Sequence, residues 1–153
     1  MQGPTWQRPL RFLTRDDDLG SRKAPSGPAT ILVVEDDYLI AAEMEDALTG
    51  AGYKVTGIAA SAEEAIEMAA AERPVLAVMD IRLGGKRDGI DAALELFNRH
   101  GIRCIFASAH HTAEARERAR AASPLAWVPK PFTMSSLLEV VRRVLRDLQS
   151  GAR

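Results

Sequence analysis

Four short stretches of this chain end in side chains whose types could do chemistry together. ILVVEDD, beginning at Ile31, runs four apolar residues into three carboxylates, Glu35, Asp36 and Asp37. VLAVMD ends on Asp80, IFASAH leads to Ser108, and WVPKPF carries Lys130. Three carboxylates in a row at the rim of a core repel one another and resist desolvation, so the placement is costly unless something cationic arrives there. Glu35, Asp36 and Asp80 hold three negative charges against the single positive charge of Lys130, and a divalent ion would bring the set to neutrality. All the available ligands are hard oxygens, which suits magnesium, an ion that takes one or two carboxylates and keeps waters and phosphate oxygens in its shell. A metal-neutralised carboxylate beside an amine and a hydroxyl is a place for a phosphoryl group, with Asp80 as the in-line nucleophile.

These residues are far apart in sequence, so the elements that carry them must converge. Apolar runs at 31–34, 55–58, 75–79, 102–107 and 125–128 are short and suit buried strands. They alternate with five stretches of helical period. The first covers 37–48, with Asp37 as its cap and Gly50 and Gly52 beyond its end. Ser61 opens the second, with Glu63 and Glu64 in its first turn, and the third covers 89–99 before a stop at His100 and Gly101. The fourth covers 113–122. The fifth covers 133–149, with Leu137, Val141, Val144 and Leu148 on one stripe and Arg142, Arg143 and Arg146 turned away. Five successive βα units imply one α/β domain, a doubly wound parallel sheet covered by helices on both faces. Ligands of such sheets bind beyond the carboxyl ends of the strands. Glu35, Asp36, Asp80, Ser108 and Lys130 all belong to that edge.

Composition narrows the setting. The chain has 153 residues, 46% hydrophobic and 27% charged, enough for one real core. A formal net charge of -1 argues against a broad nucleic-acid surface and gives no electrostatic reason for a membrane. No apolar run approaches the roughly 20 residues that span a bilayer, and the polar, proline-broken start does not read as a signal peptide. A cytoplasmic protein is expected. Cys104 is the single cysteine, so neither an internal disulfide nor a cysteine-based zinc cage is available. Residues 1–28, with four prolines and Asp16, Asp17 and Asp18, read as a partly disordered N-terminal extension, from which Trp6, Leu10, Phe12 and Leu13 are the side chains able to dock. Residues 29–149 form the domain and 150–153 a tail.

ILVVEDD, VMDIRLGGKRDGID, FASAH and PKPF, in this order and spacing, resemble the receiver domain of two-component response regulators, and the resemblance covers essentially 30–149. It implies a flavodoxin-like fold with strand order 2-1-3-4-5. It implies that Asp80 takes a phosphoryl group from the histidine of a partner, a sensor histidine kinase or a histidine phosphotransfer protein. Asp36 is implied to bind Mg2+ directly, Glu35 through water, and Arg82 through its backbone carbonyl. Ser108 and Lys130 take the places of the switch hydroxyl and the lysine, and the Lys130–Pro131 peptide is implied to be cis. Glu35 and Ser108 replace the commoner aspartate and threonine while keeping the oxygen chemistry. Trp127 stands where a smaller switch aromatic is usual. Arg82 and His110 overhang the site as tuning residues. With four residues after the fifth helix, a single-domain receiver without a DNA-binding output is expected, signalling through a downstream protein target or a second copy on the fourth helix, fifth strand and fifth helix.

Blander readings accompany these. Cys104 reads as a packed core thiol, adjacent His110 and His111 point apart and suit no zinc site, and Gly84, Gly85 and Gly89 shape the loop after Asp80. Arg116, Arg118 and Arg120 read as a solvated face or as a docking patch. The rivals are a magnesium-dependent phosphohydrolase, which would need a second acid where Arg82 stands, a phosphate sink, and a receiver used only for binding.

Overall fold

The computed structural model describes residues 27–151. Most of the expected N-terminal extension, with Trp6, Leu10, Phe12 and Leu13, and the last two residues of the tail lie outside the described residues. The elements alternate without exception: β1 (Thr30–Val34), α1 (Tyr38–Gly50), β2 (Lys54–Ala59), α2 (Ala62–Glu72), β3 (Leu76–Met79), α3 (Gly89–His100), β4 (Arg103–Ser108), α4 (Ala113–Ala119), β5 (Ala126–Pro129) and α5 (Met134–Ser150). The expected fourth helix is shorter than its pattern, since Arg120–Ala122 tighten into a 3-10 turn that ends at Ser123 in the left-handed region. All strand pairs are parallel, in the order β2-β1-β3-β4-β5. This is the flavodoxin-like arrangement that the alternation and the resemblance imply.

The two faces of the sheet follow the two-residue period of a strand. Leu32, Val34, Ala77, Met79, Cys104 and Phe106 point into a core shared with α2 and α3. Ile31, Val33, Leu76, Val78, Ile105 and Ala107 point the other way, against α1 and α5. Ile31 through Val34 are therefore buried on both faces, as an uninterrupted β-branched run requires. Cys104 is buried, and burial pushes its thiol up to about 12, which makes it an inert packing group.

Two helix starts are fixed by side chains read from the sequence, and a third by a cap that was not. Asp37 accepts hydrogen bonds from the N–H groups of Leu39 and Ile40, and Ser61 from that of Glu64. α3 is capped by Asp88, whose carboxylate accepts from the Asp91 N–H while the Asp91 carboxylate accepts from the Asp88 N–H.

The start of α3 is pressed against the backbone that follows β3. The Gly89 N–H donates to the Ile81 carbonyl at 2.7 Å, and a Cβ at Gly89 would collide with the carbonyl of Asp80. Only glycine fits this approach. Gly84, by contrast, has open space where its Cβ would be. Gly89→Ala should cost about 2 kcal/mol or more, read as a lowered urea midpoint, while Gly84→Ala should change little; equal midpoints for both variants would refute the close approach.

Candidate functional site

The sheet ladder holds Glu35, Asp80 and Lys130 just past strand ends, and Ser108 is the last residue of β4. The Glu35 N–H donates to the Ala59 carbonyl at 2.9 Å, the Asp80 N–H to the Val34 carbonyl at 2.9 Å, and the Lys130 N–H to the Ser108 carbonyl at 3.2 Å. Backbone pairing therefore fixes where these side chains begin. They meet at the carboxyl edge, where Lys130 Nζ donates to Glu35 Oε1 at 2.8 Å and to Asp80 Oδ2 at 3.1 Å. Glu35 and Asp80 are buried, at 2% and 7% exposure. A cavity of about 240 Å3 opens above them, lined among others by Asp36, Arg82, His110 and Lys130.

The three carboxylates play unequal parts. Glu35 has both oxygens engaged, Oε1 by Lys130 and Oε2 by the Asp37 N–H at 3.1 Å. Asp36 is exposed and, among the described residues, has no hydrogen-bond or ion-pair partner. Carboxylate oxygens of Glu35, Asp36 and Asp80 all lie within 4.8 Å of one another. Such an all-oxygen set suits Mg2+ by its chemistry. Ser108 is buried, and its Oγ accepts from the His110 N–H at 3.1 Å, which leaves the hydroxyl proton free to be donated elsewhere. The Lys130–Pro131 peptide is cis.

Charge and burial oppose each other here. Burial pushes the Glu35 carboxyl above its ordinary value, and the hydrogen bonds from Lys130 and the Asp37 N–H only partly offset this. Burial works to lower the Lys130 ammonium, but its contacts with Glu35 and Asp80 outweigh it and hold the group above its ordinary value.

Trp127 does not reach this cluster. Its ring stacks on Phe106 at 4.7 Å between centroids, and the Arg116 guanidinium lies 4.6 Å over it. Arg118 joins α4 to α3: its two terminal nitrogens meet the two oxygens of Asp88 at 2.8 and 3.2 Å, and one also meets Asp91 at 3.3 Å. Burial works to raise the Asp88 carboxyl, but Arg118 and the Asp91 N–H hold it below its ordinary value. Neither Phe106 nor Asp88 stands out by sequence reasoning. The spacing of Asp88 and Asp91 just before an apolar period is a capping signature that could have found the second.

Residues 31–142 match the family described as response regulator receiver domain. The chain belongs to that family. It is 34% identical over 114 residues to the transcriptional regulatory protein PdtaR of Mycobacterium tuberculosis, a match covering 74% of this chain and 55% of that protein. It is 31% identical over 142 residues to the phyllosphere-induced regulator PhyR of Methylorubrum extorquens, covering 90% of this chain and 51% of that protein. The chain thus spans about half the length of these relatives. Among solved structures, a CheY-like receiver domain from Methanospirillum hungatei superimposes with a TM-score of 0.76 at 27% identity, covering 82% of this chain and all of that one. Receiver domains are signalling modules rather than ordinary enzymes; they interact with histidine kinases and downstream targets and bind Mg2+ in an acidic pocket, and this receiver has an acidic cluster at the corresponding sheet edge. No helix among the described residues is long and apolar enough to cross a membrane.

The raised Glu35 carboxyl has a measurable consequence. A carboxyl that binds its proton more tightly when folded favours the folded state at low pH, and that contribution is lost as the pH rises through the raised value. Metal-free wild-type protein should therefore lose stability relative to Glu35→Gln as the pH rises from the ordinary glutamate value of about 4 through the raised value. Urea midpoints across that range measure it, and a difference that stays flat or runs the other way contradicts the assignment.

Proposed function

We propose that Asp80 accepts a phosphoryl group from the phosphohistidine of a sensor histidine kinase or a histidine phosphotransfer protein. The observation that carries this reading is Lys130 Nζ held between Glu35 and Asp80 at 2.8 and 3.1 Å, beside an exposed Asp36 that has no partner among the described residues. As an Asp80 carboxylate oxygen attacks phosphorus, the P–O bond forms, the P–N bond of the donor breaks, and the departing imidazole keeps the electron pair. Lys130 holds Asp80 and can donate to a phosphoryl oxygen, while Ser108 has a proton to donate once that oxygen arrives. Asp36, Asp80 and the Arg82 carbonyl would hold Mg2+ directly and Glu35 through water; when bound, the ion stabilises negative charge on the phosphoryl oxygens. The engagement of both Glu35 oxygens supports the indirect role for that residue. Arg82 and His110 line the cavity and tune access of water to it.

The receiver is assigned to 29–149 with 1–28 as an N-terminal extension and 150–153 as a tail. Tyr38 and Leu39, 75% and 77% exposed at the first turn of α1, offer the phosphodonor an apolar contact beside the site. The phosphorylated state signals through protein contacts on α4, β5 and α5, where Arg116, Arg120, Trp127 and the exposed side of 133–149 face a downstream target or a second copy.

The test is direct. Phosphoramidate with Mg2+ should add one phosphoryl mass to the protein, chelator should abolish the gain, and a gain that survives in Asp80→Asn overturns the assignment. Mg2+ should also raise the melting temperature by binding the native state alone. That rise should vanish in Asp36→Ala, and equal rises in both proteins would remove Asp36 from the metal site.

A further inference from the structure

α4 has little hydrophobic anchoring. It has seven residues, and only Ala115 and Ala119 face the core, followed by Ala122 in the 3-10 turn. Alanine buries little apolar area, so hydrophobic packing contributes little to fixing this helix. Its polar contacts are correspondingly important. Arg116 and Arg118 are two residues apart, which on a helix of 100° per residue turns them about 200° from one another. Arg116 lies over Trp127 of β5. Arg118 grips Asp88 with a two-pronged contact and reaches Asp91, so it holds both members of the box that caps α3. Asp88 is followed by Gly89, whose backbone donates to Ile81 and leaves no room for a Cβ against Asp80. A continuous set of contacts therefore runs from Trp127 through α4 to the backbone of Asp80.

We propose that Arg118 is a positioning residue that fixes the loop between Asp80 and α3, and that with Arg116 it makes α4 a clamp whose two ends respond together. The part concerning metal and phosphoryl binding rests on the function proposed above. A shift of α4 that loosens Arg118 frees the α3 cap and the Asp80 loop, and the same shift lifts Arg116 from the Trp127 ring. By reciprocity, whatever tightens the loop at Asp80 biases α4 and Trp127. Trp127 then reports the site through α4 while its ring stays on Phe106. Lysine cannot replace Arg118 fully, because a single ammonium does not match both oxygens of Asp88.

The experiment uses the full chain in a Trp6→Phe background, which leaves Trp127 as the one tryptophan. In metal-free, unphosphorylated protein, Arg118→Gln should speed amide exchange of residues 81–89 several-fold and shift the Trp127 emission, although Arg118 does not touch that ring. Arg118→Lys should fall between wild type and Arg118→Gln. Arg116→Gln should weaken Mg2+ binding about threefold, in keeping with a partly exposed contact, although it touches no residue of the acidic cluster. Combining Asp88→Asn with Arg118→Gln should add little to either change alone. Exchange at 81–89 unchanged in Arg118→Gln, or effects of each arginine confined to its own end, would overturn the clamp. Should Arg118→Gln fail to fold, the same outcomes are read from Arg118→Lys and Asp88→Asn. Failure of wild-type protein to accept phosphate would instead overturn the proposed function and leave the exchange result standing.

Discussion

The arrangement of Lys130 between two buried carboxylates is the interaction on which the site depends. Glu35 and Asp80 have little water to screen them, and each opposes the other's charge. Lys130 Nζ lies within hydrogen-bond distance of both, so one cation answers two anions. The balance is incomplete, since burial still drives the Glu35 carboxyl upward. A site left short of positive charge in this way is built to receive more of it, and Asp36 at its mouth is exposed to meet it.

That ion cluster can exist because the sheet beneath it tolerates no slippage. β1, β3 and β4 alternate between two apolar layers, and a shift of one residue would exchange the layers and carry charged strand ends into the core. The ladder continues past the strand ends at Glu35, Asp80 and Lys130, so the backbone positions these residues before their side chains form any contact. The close approach of Gly89 to Asp80 then ties the first turn of α3 to the same edge.

Stability is distributed unevenly around this frame. α5 buries Leu137, Val141 and Val144, and α3 buries Ile90 and Leu96, whereas α4 contributes only alanines. Large aliphatic anchors resist displacement and small ones do not. The least anchored helix is therefore the one whose arginines link β5 to the start of α3, and movement between the site and the surface is expected where packing is weakest.

Much of this was legible in the sequence because it is encoded locally. Short β-branched runs and helical periods specified the alternation, Asp37 and Ser61 marked helix starts, and the rule for parallel sheets brought Glu35, Asp80, Ser108 and Lys130 to one edge. The arginines of α4 were not legible in the same way. Their spacing is compatible with a solvated face or a docking patch, yet Arg116 lies over Trp127 and Arg118 on Asp88. The shortened α4 and the stacking of Trp127 on Phe106 are likewise tertiary outcomes. Periodicity reports which side of an element is apolar; it carries no information about which partner from another element a long charged or aromatic side chain will meet. The sequence by itself determined the order of elements and the edge at which the reactive groups emerge, because hydrogen-bonding period and burial depend on neighbours in the chain. Only the tertiary structure decided which carboxylates Lys130 joins, which one it leaves exposed, and what holds α4, because those contacts depend on distances between residues far apart in sequence.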